Sequence, residues 1–101
     1  MSEETRAPYV FRGTVLPEHL RNSIDRYVKD GRPTGGFLQA IIENDLAGAV
    51  ARADDDNVRL IHVIVNYFYF ECPNGCWGKQ GKFKEWIEAK HNERLKKEKE
   101  R

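Results

Sequence analysis

The chain is poor in everything needed for covalent cross-linking, membrane crossing or strongly charged partners, and each shortage removes a class of protein. Two cysteines among 101 residues supply no disulfide framework and point to a reducing, cytoplasmic compartment. No apolar run approaches the roughly 20 residues that span a bilayer. The opening Met1-Ser2-Glu3-Glu4-Thr5 is acidic and polar, unlike a secretory signal. Neither sign of charge prevails: 17 basic residues stand against 16 acidic ones, for a formal +1. A general nucleic-acid binder is normally a clearly basic domain, so nucleic acid is not the expected partner. Catalytic signatures are missing too. There is no nucleophile elbow and no dinucleotide fingerprint, and Gly31-x3-Gly35-Gly36 lacks the lysine and hydroxyl of a P-loop.

What is present reads as one helical domain. A chain of this length buries roughly 60–70% of the surface its unfolded form exposes. Residues 1–13 contain Pro8 and Gly13 and lack helical periodicity, so they read as a flexible arm whose only apolar part is Tyr9-Val10-Phe11. A first helix is well signalled: Pro17 opens it, Glu18 sits in its positive first turn, and Gly31 is placed to end it. Leu16, Leu20, Ile24, Tyr27 and Val28 make one stripe at helical spacing. A second helix starts near Gly36 and carries Phe37, Leu38, Ile41, Ile42, Leu46, Ala49 and Val50. Asn44-Asp45 either caps a new short helix within it or sits mid-helix on the wet side, and Gly48 weakens the segment by about 1 kcal/mol relative to alanine.

Asp54-Asp55-Asp56-Asn57 is a cap cluster, favoured at a helix start by hydrogen bonding and by the macrodipole. It lacks the alternating ligands and terminal glutamate of a calcium loop. Val58–Phe70 is the apolar centre. Its β-branched and aromatic residues suit a strand, but its length and the cap cluster favour a buried helix with Ile61, Ile64, Val65 and Phe68 facing inward. Its apolar circumference implies burial on more than one side, within the bundle or against a second chain. Cys72-Pro73-Asn74-Gly75-Cys76-Trp77-Gly78 is a tight loop. The last helix carries Phe83, Trp86 and Ile87, after which residues 90–101 form a charged tail with six basic against three acidic residues.

Few groups are placed for chemistry. Structural zinc needs four ligands, and His19, His62 and His91 are scattered singly around the cysteine pair, so no metal is expected. His62 on an apolar helix reads as a satisfied or surface-tipped residue rather than a general base. The most informative stretch is Gly31-Arg32-Pro33-Thr34-Gly35-Gly36-Phe37-Leu38. It stops one amphipathic helix and starts another with two glycines. Backbone amides unshielded by Cβ atoms and flanked by Arg32 and Thr34 can hold an anion; the same residues also make a plain helix–helix turn. Trp77, held between Gly75 and Gly78, is either a core plug or a surface on which a base stacks.

Several of these motifs occur together in one kind of protein. Leu16-Pro17-x-His19, Tyr27-Val28, Gly31-x-Pro33-Thr34-Gly35-Gly36-Phe37-Leu38, Asn44-Asp45-Leu46, Arg52-Ala53-Asp54, Asn57 and Cys76-Trp77-Gly78 resemble a family of small tailed-phage and prophage proteins. The resemblance spans about residues 15–88. It implies an accessory role in an infected bacterial cell: blocking a host defence by covering an effector or sequestering a nucleotide signal, or acting as a structural adaptor. The expectation is therefore an all-α domain, a small bundle of about four helices over residues 14–89, self-associating and non-enzymatic, with no cofactor. Its phosphorylated-nucleotide site would consist of Arg32, Thr34, Gly35, Gly36 and Trp77. A protein–protein adaptor, or a nucleic-acid accessory acting through the basic tail, is the alternative.

Overall fold

Arg12 and Gly13 both take positive φ, 51° and 77°, the geometry of a two-residue turn whose twist matches that of paired strands. Around it, β1 (Tyr9–Phe11) and β2 (Thr14–Leu16) form an antiparallel hairpin with Tyr9 opposite Leu16, Val10 opposite Val15 and Phe11 opposite Thr14. The computed structural model describes residues 6–99. Residues 1–5 of the expected flexible arm lie outside the described part, but its apolar piece is a strand rather than a loose segment. Alternation sends Val10 and Val15 to solvent, while Tyr9, Phe11 and Leu16 turn toward the helices.

Among the described residues six helices follow: α1 (Glu18–Asp30), α2 (Gly36–Ile42), α3 (Leu46–Arg52), α4 (Asp55–Val58), α5 (Ile61–Glu71) and α6 (Lys82–Lys99). The fold is thus mainly helical with a small added sheet, and the four expected helices have become six. Helix α1 matches its signals. The Pro17 carbonyl accepts from Leu20 and Arg21, Gly31 closes the other end at φ 69°, and Leu20, Ile24 and Tyr27 are buried. Gly31 also lets α6 approach closely, since a Cβ there would stand 2.6 Å from Lys90 Cβ.

At Asn44 the chain enters the left-handed region at φ 59°, which ends α2 and resets the helical phase. Asp45 then caps α3, its carboxylate accepting from the Gly48 amide at 2.9 Å. Because of that reset, Leu46 and Val50 do not continue the inner stripe. They are exposed, and Ala49 alone of α3 is buried. Gly48 is required by the cap: a Cβ there would lie 2.1 Å from Asp45 Oδ2. Removing the cap with Asp45→Ala is expected to cost about 1 kcal/mol. Gly48→Ala should destabilise the natural chain but become neutral or stabilising in the Asp45→Ala background. Thermal denaturation of the two single variants and the double one reads this out; additive effects would refute the coupling.

Helix α5 is coiled, as its length implies, but rotated from the expected face. Val63, Ile64, Tyr67 and Phe68 are buried, while Ile61 and Val65 are only half-buried. Tyr67 can face inward because its polar tip finds a partner, its hydroxyl donating to Asp25 Oδ1. Within the single chain the burial does not extend to the C-terminal end, where Tyr69 and Phe70 are 66% and 67% exposed. The hairpin covers one side of α5. Tyr9 meets Tyr67 edge-on at 4.9 Å, the Asn66 amide donates to the Tyr9 hydroxyl at 2.6 Å, and His62 Nε2 hydrogen-bonds Thr14 Oγ1 at 3.1 Å.

A 3-10 turn at Asn74–Cys76 then carries the chain beneath α1. Glu43 fixes the start of α6 by accepting from the Gly81 and Phe83 amides, both at 2.9 Å. Phe83 stacks on Tyr27, and the Trp86 indole donates to the Tyr27 and Val28 carbonyls at the end of α1. The expected charged tail remains helical to Lys99, and Arg94 secures it by donating to the Asp30 carbonyl. Residues 100–101 lie outside the described part.

Candidate functional site

The residues expected to bind ligand do not converge in one place. Arg32 lines a depression of about 610 Å³ with Asp30, Pro33 and Arg94. Gly36 lines another of about 600 Å³, with Gln39, Ala40, Glu43, Asn44, Asp45, Arg52 and Gln80. Trp77 lines a third, of about 500 Å³, with Asn44, Tyr69, Asn74 and Gly78. Between Arg32 and Gly36 in the chain, the Thr34 hydroxyl donates to the Gly35 carbonyl at 3.0 Å. Helix α2 is only seven residues long, so it adds little dipole to its free amides.

The second and third depressions are neighbours. Asn44 lines both. The segment Trp77–Gln80 runs past the end of α2, pinned by the Gly78 amide donating to the Ile42 carbonyl at 2.7 Å. Trp77 and Gly78 face one side of this crossing and Gln80 the other. The two hollows are separate depressions that meet at Asn44 beside the α2–α3 turn, one lined by aromatic residues and the other by polar ones.

In the polar hollow the cation is Arg52, not Arg32. Its Nη1 donates to the Gly48 carbonyl at 3.2 Å, and its stem lies over Gly36, where a Cβ would meet Arg52 Cδ at 3.2 Å. The glycine gives the guanidinium room. Two carboxylates share this hollow, but each already accepts amide hydrogens: Glu43 from Gly81 and Phe83, Asp45 from Gly48. The carboxamides of Gln39, Asn44 and Gln80 supply both donors and acceptors. In the aromatic hollow, Trp77 stacks on Phe68 at 5.4 Å and 25°, which holds the indole while leaving it only partly buried. It is both packed and presented, so neither simple alternative for Trp77 describes it.

Arg52 and Tyr69 were not singled out as ligands from the sequence. Arg52 sits within the Arg52-Ala53-Asp54 motif, but its proximity to Gly36 depends on how α3 folds back along α2. Nothing in local periodicity reports that.

A second polar cluster is mostly paired within itself, although among the described residues the buried Arg6 Nε finds no partner. Arg6 donates to Asp25 Oδ2 at 2.6 Å and to Asn22 Oδ1 at 2.8 Å, and pairs with Glu18 at 3.3 Å. Burial, followed by the hydrogen bond to Asp25, pushes the Tyr67 phenol up to about 12. Phenol and carboxylate are therefore committed to each other, and the cluster fastens Arg6 to α1 and, through Asp25, α1 to α5. Among the described residues no group of three or more histidine, cysteine or acidic side chains is placed to hold a metal ion, and no helix is long and apolar enough to cross a membrane. No family profile, curated protein or solved structure matches the chain.

Proposed function

We propose that the chain is a non-enzymatic binding protein that captures a phosphorylated nucleotide across the two neighbouring hollows at the α2–α3 turn. The observation that supports this reading is an aromatic hollow beside a guanidinium-bearing one, with Asn44 lining both. A base stacks against Trp77 and Tyr69, the carboxamides read sugar and base edges, and phosphate meets Arg52 above Gly36. Sequestration of a nucleotide signal fits the accessory role that the phage resemblance implies, in the cytoplasm of an infected cell and in a self-associating protein. The protein–protein alternative rests on the exposed Tyr69–Phe70 pair, whose rings meet at 4.8 Å, because exposed aromatics are frequent anchors at interfaces.

The test is thermal stability during titration with cyclic and linear nucleotides, alongside native mass spectrometry for copy number. A ligand at a hundred times its Kd stabilises by about 2.7 kcal/mol. Arg52→Ala and Gly36→Leu are each expected to abolish the shift while leaving the helical circular dichroism unchanged. Arg32→Ala should retain it. Unchanged affinity in Arg52→Ala would reject the site; no response to any nucleotide would leave the adaptor reading in its place.

A further inference from the structure

The formal +1 of the whole chain conceals an uneven distribution. Residues 90–101 carry six basic and three acidic side chains, which leaves residues 1–89 net acidic. Within α6 the basic residues are sorted further. At about 100° per residue, Lys90, Arg94 and Lys97 fall within an arc of about 60°, and Glu93 and Glu98 lie about 40° beyond its two edges. Lys96 and Lys99 point to the other side of the helix. The arc prolongs the stripe of Phe83 and Ile87, by which α6 packs on the core. Where α1 ends, the same stripe turns cationic.

The row is anchored at its start and free at its end. Lys90 Nζ lies over the Trp86 ring at 5.0 Å, and Arg94 donates to the Asp30 carbonyl. The turn after α1 adds a fourth cation from far away in the sequence, since Arg32 and Arg94 line one depression with Asp30 and Pro33. Arg32 and Lys97 are exposed and, among the described residues, take part in no ion pair. Lys90 pairs with Glu93 at 3.3 Å on the surface, a contact that a phosphate replaces at little cost.

We propose that Arg32, Lys90, Arg94 and Lys97 form a docking surface for the phosphate backbone of double-stranded DNA, bound without regard to sequence. The chemistry of the row selects this partner. A protein partner needs an apolar or aromatic centre to its interface, and the row has none beyond Lys90. A single strand is held by a groove with aromatic platforms, whereas residues 91–99 are exposed all round and form a ridge. What the ridge offers is a line of cations about 10 Å long from Lys90 to Lys97. Duplex DNA presents one negative charge per about 1.7 Å of its axis, the densest match for such a line. Contacts to phosphate set position and carry no base information. The row shares no lining residue with the hollows at the α2–α3 turn, so it does not depend on what they hold.

The full chain is titrated into a short fluorescein-labelled duplex of mixed sequence, and into its single strand, while anisotropy is followed over a range of salt concentrations. Duplex affinity is expected to fall with salt at a logarithmic slope of about −2 to −4, as for two to four phosphates. The single strand binds more weakly. Arg32→Ala and Lys97→Ala each reduce the slope by about one. Arg32→Glu combined with Lys97→Glu lowers affinity by about tenfold or more at low salt, whereas Lys96→Glu combined with Lys99→Glu lowers it by less than about threefold. Both double variants change net charge equally, and their helical circular dichroism matches that of the natural chain. No duplex binding at the lowest salt, equal weakening by the two double variants, or tighter binding of the single strand would each overturn the assignment. Displacement of the duplex by polyglutamate at equal charge concentration would also overturn it, and would make the row a site for an acidic protein.

Discussion

Replacing Tyr27 by alanine is expected to lower the stability of the domain by about 4 kcal/mol, the middle of the range for truncating a buried aromatic. The side chain is fully buried where α1, α6 and the loop after α5 meet. Its ring stacks nearly parallel on Phe83 at 5.5 Å and 7°, and its hydroxyl donates to the Cys76 carbonyl at 2.8 Å. Alanine removes the ring, opens a cavity and leaves that carbonyl without its partner. Tyr27→Phe isolates the last of these, and a cost of about 1–2 kcal/mol is expected for it. Urea unfolding measures both, as a fall in midpoint at unchanged slope. A Tyr27→Phe protein as stable as the natural one would show that water replaces the hydroxyl.

The same burial has a consequence at high pH. Burial raises the Tyr27 phenol above its ordinary range, followed by the negative charges of Cys76, Glu43 and Glu85, and Tyr67 is pushed to about 12. Both folded-state values exceed the unfolded value of about 10. Above that pH the unfolded chain gives up protons that the folded chain keeps, so the folded state loses ground. The phenol contribution is thus complete below about pH 10 and falls as pH rises toward 12. The Tyr27→Phe variant should show a shallower alkaline decline.

Where sequence and structure agree, the signal was local and unopposed. Helix α1 has a proline before its first turn, a glycine after its last and an uninterrupted stripe, and its buried residues follow from these alone. Disagreement appears where a tertiary partner outweighs local pattern. The hairpin hides because its turn is Arg12-Gly13, without the asparagine or aspartate that usually marks positive φ at the first position. Helix α5 is rotated because Asp25 lies ready for the Tyr67 hydroxyl, so a residue with a polar tip displaces Val65 from the inner face. The candidate site shows the same limit. Gly36 and Trp77 stand out as unusual residues in the sequence. Their separation into two hollows, the shared residue Asn44 and the placing of Arg52 rather than Arg32 beside Gly36 all depend on the left-handed step that folds α3 back on α2.

Gly31 is the position where the smallest change should do the most harm relative to its size. Two requirements meet there: φ is 69°, where a side chain costs about 1–2 kcal/mol, and a Cβ would stand 2.6 Å from Lys90 Cβ and 3.5 Å from Ile87 Cα. Lys90 Cβ belongs to the helix rather than to a mobile chain end, so relief means moving α6 off the end of α1. That movement loosens the Trp86 hydrogen bonds to Tyr27 and Val28 and the Arg94 contact with Asp30. Gly31→Ala is therefore expected to cost about 3 kcal/mol, a fall in midpoint of roughly 15 °C for a domain of this size. Gly31→Asn separates the two causes, because asparagine tolerates the left-handed region yet carries the same Cβ. If close approach dominates, asparagine is as damaging as alanine and the tryptophan fluorescence of both variants, to which Trp86 and Trp77 contribute, shifts. If backbone conformation dominates, asparagine recovers most of the lost stability, and the tight crossing of α1 and α6 is not what demands a glycine.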